Sequence, residues 1–299
     1  MLCFPVRNRG LKLLALVSLL PQSRSLHIAP PSQPTHQYIA GRRCLILPST
    51  SNNSPNLSPP LILIGGTAQS ISSWVGHSGA ISRTRTLVIY EARGQGKKED
   101  ANDYDTNYSD CSLSKQVDDL GGFIDALPKY LDDSGSYSGG FDMAGFSFGG
   151  RVALAYTSLL NRGKNKILKL HVTGVTGERD LYAKLILQAW NQVLESGEEG
   201  NDLMDRKILE AFAWDTITKT HSPKFLMKYE KFVGKWVDLV VANNVRDGLF
   251  KIVSQSHHDV HCQPLNLSES IRNQIISNKE NTEKSRGLSD IRFLVGSDD

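Results

Sequence analysis

Apolar residues fall into two alternating patterns along the first part of this chain. Continuous apolar runs occur at Leu61–Ile64 and Thr86–Tyr90, a short and largely apolar run at Phe141–Ala144, and a further strand pattern at Ile167–Val175. Runs that are apolar on both faces mark buried parallel strands. Between them, Leu113, Val117, Leu120, Ile124 and Leu127 recur at helical spacing and predict a helix over Ser112–Leu131. A second helical pattern covers Arg151–Leu160, and Gln37–Pro48 reads as a first strand or hairpin. Ser49–Pro60 and Asp132–Gly140 are rich in Ser, Asn, Pro and Gly and read as loops. The alternation of strand and helix predicts an α/β fold built on a doubly wound, mostly parallel sheet.

The pattern changes after Thr176. As far as about Arg286 the sequence is helical, with segments over Leu181–Glu195, Asp202–Ile217 and Pro223–Val241. Arg292–Val295 then resumes the strand pattern. The helical stretch, about 177–286, reads as a lid inserted between two sheet strands. Aromatic residues that recur there at helical spacing, Trp190, Phe212, Trp214, Phe225, Tyr229, Phe232 and Trp236, admit two readings: packing between the lid helices, or contact with a substrate. No internal repeat is present.

The 299 residues, net charge of +3 and 39% hydrophobic content leave room for one large domain with a substantial core. The small positive charge forms no basic run and no recognition-helix pattern, so nucleic acid is not an expected partner. Cys3, Cys44, Cys111 and Cys262 are widely spaced, which predicts neither a metal site nor a disulfide framework. No cofactor is expected.

Arg7, Arg9 and Lys12 precede an apolar run, Leu13–Leu20, that Pro21 breaks. Residues 1–25 therefore read as a signal or targeting segment, too short to anchor the chain in a bilayer; the alternative is a plain N-terminal extension. Residues 26–36 read as a linker or transit segment, because no Asp or Glu occurs before Glu91 and the stretch after Ser25 is rich in Ser, Pro and Asn. A signal followed by a transit segment resembles the presequences of algae with complex plastids. The expected localisation is the secretory pathway and then a plastid. Asn52, Asn56, Asn107 and Asn266 lie in N-x-S/T sites, which matter only in a secreted chain.

The sharpest chemical signal is Gly145-Phe146-Ser147-Phe148-Gly149, set between a predicted strand and a predicted helix. In that context G-x-S-x-G is a nucleophile elbow, a tight turn that exposes the serine hydroxyl. A serine needs a base to take its proton and donors to hold the oxyanion that forms. The backbone N–H of Phe148 is one candidate donor. Gly65-Gly66-Thr67 ends an earlier strand and supplies the other, the N–H of Thr67.

These motifs, with Glu91-Ala92-Arg93-Gly94-Gln95-Gly96, occur in the order seen in the α/β-hydrolase superfamily, which the chain resembles from about Leu61 to Asp299. The resemblance implies that residues 37–299 form one α/β-hydrolase domain. Gly65-Gly66-Thr67 with Trp74 resembles the family's oxyanion loop and the tryptophan downstream of it, although Gly65 stands where a histidine is usual. Gly296-Ser297-Asp298-Asp299 resembles the Gly-x-x-Asp that ends the acid strand and points to Asp299 as the acid. The family's general-base histidine follows the acid by one more strand. The chain stops first, so the resemblance implies a domain incomplete at its C-terminus, lacking its last strand and helix. His257, His258 and His261 cluster in the predicted lid, and His77 lies near the oxyanion loop. Each could replace the missing base or belong to solvated polar surface.

The run Gly149-Gly150-Arg151 resembles the quinone-pathway synthase that eliminates pyruvate from a succinyl-cyclohexadiene intermediate. That resemblance implies that Arg151 contacts a substrate carboxylate; the other reading has Arg151 capping or pairing on the helix surface. Three functional classes follow. One is a serine-dependent hydrolase of ester or related carbonyl substrates, with Ser147 and Asp299 catalytic, Phe148 and Thr67 in the oxyanion hole, and Arg151 and Trp74 against a small-molecule substrate. The second is a lyase of the quinone-pathway type. The third is a non-catalytic, truncated binding protein.

Overall fold

The computed structural model describes residues 36–50, 58–97, 110–131, 139–159, 167–175, 181–197, 201–256 and 290–294; for 290–294 only the backbone is described. Residues 1–35, read as targeting and linker segments, lie outside the described residues. The remainder is a sheet of seven strands in the order β1-β2-β4-β3-β5-β6-β7. The strands are β1 (Gln37–Ile39), β2 (Arg42–Leu47), β3 (Leu61–Ile64), β4 (Leu87–Tyr90), β5 (Phe141–Phe146), β6 (Ile167–Thr173) and β7 (Asp290–Leu294).

β1 and β2 form the expected hairpin. Ile39 pairs with Arg42 across a two-residue turn in which Ala40 (φ 50°) and Gly41 (φ 75°) are both left-handed. Such a turn matches the right-handed twist of the flanking strands. β2 runs antiparallel to β4, and from β4 to β7 every pairing is parallel.

Alternate residues of the central strands build two cores. Ile62, Ile64, Val88 and Tyr90 face the helices α2 (Leu113–Ala126) and α3 (Phe148–Leu159). Leu63, Leu87 and Ile89 face the other way, toward Ile71 and the helix α1 (Ser72–Ile81). Burial on both faces is why these strands read as unbroken apolar runs. The strand order also reverses at β3: β4 lies on one side of it and β5 on the other. In open α/β sheets ligands bind beyond the carboxyl ends of the strands at such a switch point.

The helix α1 is absent from the sequence reading. Ser72, Ser73, Gly76, Ser78 and Gly79 leave it without an apolar stripe, and its N-terminus has no side-chain cap. Packing of Trp74 and Ile81 on the sheet supplies what propensity does not. α2 is capped by the Ser112 hydroxyl, which accepts the Lys115 N–H, and tightens into a 3-10 turn at Leu127–Tyr130.

Between β6 and β7 lies the helical insert: α4 (Leu181–Glu195), α5 (Asp202–Thr220), α6 (Pro223–Lys228), α7 (Glu230–Asn243) and α8 (Arg246–Lys251). The segment predicted as one helix over Pro223–Val241 is broken at Tyr229, a turn that no glycine or proline announces. The Tyr229 ring is held 4.6 Å from Phe225 and 6.2 Å from Trp236. Trp190 meets Phe212 edge-on at 5.5 Å and donates from Nε1 to Asp215 at 2.7 Å. Trp190 and Phe212 thus pack together, as do Phe225, Tyr229 and Trp236, while Trp214 and Phe232 are exposed. Leu187, Leu194, Leu249 and Ile252 extend the core formed by α2 and α3, so the insert continues that core. Among the described residues no helix is long and apolar enough to cross a membrane.

Candidate functional site

Ser147 is the turn between β5 and α3. Its φ is 47°, and it is exposed. A left-handed non-glycine residue costs about 1–3 kcal/mol and persists only where its surroundings hold it. Here the Ser147 N–H donates to Thr173 O of β6 at 2.8 Å, and its carbonyl accepts the Arg151 N–H at 3.0 Å.

Close packing explains the glycines of the motif. A Cβ at Gly145 would lie 2.6 Å from Gly150 Cα, and one at Gly149 would strike the carbonyls of Ile64 and Gly65 at the end of β3. Only bare backbone lets the helix start this close to the strands.

The loop after β3 crosses directly beside the serine. A Cβ at Gly66 would lie 3.3 Å from Ser147 Cβ. The Gly66 N–H is taken by Gln69 Oε1 at 2.7 Å, and its carbonyl accepts the Gln69 N–H at 3.0 Å. Among the described residues the Thr67 N–H donates no hydrogen bond, although Thr67 is buried. Phe148 opens α3, where N–H groups have no intrahelical acceptor. Trp74 braces both sides: its ring lies 4.6 Å from Phe146, and its Nε1 faces the space where a Cβ at Gly65 would sit.

Arg151 is one helical turn beyond the serine and only 1% exposed. Its side chain therefore lies in the interior and not on the solvated face of α3. Burial pulls its pKa down to about 10, so the guanidinium stays charged at neutral pH.

The Glu91–Gly96 segment proves to be a brace. Glu91 accepts the Ile71 N–H at 3.0 Å and pairs with Arg43 at 3.1 Å, so one buried carboxylate ties the loop after β3 to β2. A side chain at Gly96 (φ 79°) would collide with that carboxylate. Arg93 pairs with Asp119 of α2 at 2.7 Å, and its backbone exchanges hydrogen bonds with the Gln116 amide. Gln95 donates from Nε2 to Gly66 O at 2.5 Å. Asn244, at the end of α7, donates to Ala68 O at 3.1 Å.

Gln69, Gln95 and Asn244 were not singled out by the sequence reading. Gln95 sits inside a motif that could have flagged it, whereas nothing in the sequence marks Asn244.

The structure thus brings Ser147, Phe148, Thr67, Trp74 and Arg151 into one neighbourhood around the elbow. Asp299, His257, His258 and His261 lie outside the described residues. His77 is exposed on α1, and among the described residues no side chain is hydrogen-bonded to the Ser147 hydroxyl.

No protein-family model matches this chain. No curated protein matches it in sequence either. Solved structures do match in shape. MGS-M2, an α/β hydrolase enzyme from a Medee basin deep-sea metagenome library, aligns with a TM-score of 0.53 at 16% identity over 87% of this chain and 89% of its own. The enol-lactonase from Burkholderia xenovorans LB400 aligns at 0.54 and 12% identity over 88% and 91%. MenH from S. aureus aligns at 0.51 and 14% identity over 85% and 90%. The strand order, the turn at Ser147 and these likenesses agree on one conclusion: the chain has the α/β-hydrolase fold.

Proposed function

We propose that this chain is a serine-dependent hydrolase of ester or related carbonyl substrates, with Ser147 as the nucleophile. The observation that carries this reading is the left-handed, exposed Ser147 at the β5–α3 turn, beside a loop whose Thr67 N–H is unused among the described residues. Ser147 Oγ attacks the substrate carbonyl while a general base, from outside the described residues, takes its proton. The N–H groups of Thr67 and Phe148 hold the oxyanion. The leaving group departs with that proton, and water then releases the acyl group from Ser147. Asp299 orients the base, Trp74 and Arg151 bound the substrate site, and the helical insert covers it as a lid.

The test is labelling of the full chain with a fluorophosphonate, mapped by mass spectrometry, alongside turnover of 4-nitrophenyl acetate. Labelling at Ser147 and loss of both signals in Ser147→Ala are expected. No labelling, labelling elsewhere, or full turnover by Ser147→Ala would overturn the reading.

The burial of the charged Arg151 favours a second reading. A guanidinium one turn from the serine suits a substrate carboxylate. In that reading the serine and its base remove a proton, pyruvate is eliminated and no acyl-enzyme forms. A pre-steady-state burst with an activated ester favours the hydrolase; its absence, with pyruvate released from a succinyl-cyclohexadiene substrate, favours the lyase.

A further inference from the structure

The Gly66 carbonyl and the Thr67 N–H belong to one planar trans peptide and point in opposite directions. Whatever grips the carbonyl therefore aims the N–H. Two donors grip it: the Gln69 backbone at 3.0 Å and the Gln95 side chain at 2.5 Å. Gln95 is 5% exposed, and its Oε1 has no hydrogen-bond partner among the described residues. A buried amide oxygen left unsatisfied is costly, so this side chain is oriented by its Nε2 bond. That bond also polarises the peptide and makes its N–H a better donor to a forming anion.

The next residue, Ala68, is left-handed at φ 65°. Its carbonyl accepts Asn244 Nδ2 at 3.1 Å, and Asn244 Oδ1 accepts the Gly96 N–H at 3.4 Å. Asn244 is 1% exposed and also donates to Val240 O at 2.9 Å. One side chain of the insert thus ties the loop after β3 to the residue that follows Gln95. Beside it, the Ser72 hydroxyl donates to Asn243 Oδ1 at 3.0 Å.

We propose that Gln95 and Asn244 are positioning residues that aim the Thr67 N–H at the oxyanion, so that the helical insert holds the hole in shape. The inference rests on the hydrolase reading and goes beyond it by making the hole depend on the seating of the insert. Gln95→Met keeps the length and volume of the side chain and removes the donor. Its labelling by fluorophosphonate should reach full stoichiometry but about 10- to 100-fold more slowly, and kcat for 4-nitrophenyl acetate should fall by a similar factor with KM nearly unchanged. Asn244→Ala should shift the same quantities in the same direction and carries the test should Gln95→Met fail to fold.

A purely structural role would lower the labelled fraction and the melting temperature while leaving the rate per labelled site intact. That outcome, in either folded variant, overturns the inference while the nucleophile reading stands. Absence of labelling in the unsubstituted chain overturns both.

Discussion

Replacing Gly149 by alanine tests the packing that creates the elbow. The added Cβ would lie 2.7 Å from the Ile64 carbonyl carbon and nearer still to the oxygens of Ile64 and Gly65, all of them backbone atoms at the end of β3. Ordinary contact begins at 3.4 Å, so the helix or the strand must yield by at least about 0.7 Å, and by more to clear the two oxygens. Neither can turn aside as a flexible side chain would. Overpacking of this kind costs about 1–3 kcal/mol. For a domain of this size that lowers the melting temperature by about 2–12 °C, at 2–4 °C per kcal/mol. The same shift moves Ser147 away from the Thr67 loop, and a misplacement near 1 Å can cost about 100-fold in rate.

Gly234→Ala on α7 is the matched control. Nothing lies within 4 Å of its Cβ position, so helix propensity acts alone and should add about 1 kcal/mol of stability. The assay is thermal unfolding by circular dichroism with the fluorophosphonate labelling rate of each variant. If Gly149→Ala melts at or above the unsubstituted chain and labels at its rate, the close-packing account of the elbow is wrong.

Asp119 lies 2.7 Å from Arg93, 3.6 Å from Arg42 and 3.2 Å from Lys115. Burial alone would raise its pKa, but the hydrogen bond from Arg93 and the charges of Arg42 and Arg93 outweigh it and hold the carboxyl below its ordinary value. A depressed carboxyl pKa adds stability above the unfolded-state pKa of about 3.9 and loses it as pH falls through the folded value. Asp119→Asn should therefore unfold about 1–3 kcal/mol more easily at pH 7 and show a shallower loss of stability below about pH 4; parallel curves of melting temperature against pH would contradict this. In the insert, Phe212→Ala removes a fully buried ring and should cost about 3–5 kcal/mol by denaturant unfolding, whereas Trp214→Ala on the exposed side should change stability by under about 0.5 kcal/mol. Equal effects at the two positions would refute the burial pattern.

Much of the fold was legible because its signals are local. The runs at Leu61–Ile64 and Leu87–Tyr90 are apolar on both faces because both faces of the sheet are covered, and they mark the strands to within a residue. The elbow was legible because glycine is demanded where backbone meets backbone, and Gly145, Gly149 and Gly150 announce that contact. The helix over Ser72–Ile81 was not legible, since small and polar residues carry no period and tertiary packing forms it. Nor was the break at Tyr229, which aromatic packing decides.

For the candidate site, the sequence alone determined the turn at Ser147 and the glycines around it, because a position that must approach backbone closely admits only glycine and so shows in the residue type itself, whether the backbone it meets is five residues away, as for Gly145 and Gly150, or on β3, as for Gly149. Only the tertiary structure decided that Arg151 is buried, that Glu91 braces two segments, and that Gln95 and Asn244 grip the loop beside the serine. Asn244 stands 176 residues from the Ala68 carbonyl it holds. A hydrogen bond at that separation leaves no periodicity, spacing or composition in the chain. It exists because folding brings two buried polar groups together, and each needs a partner.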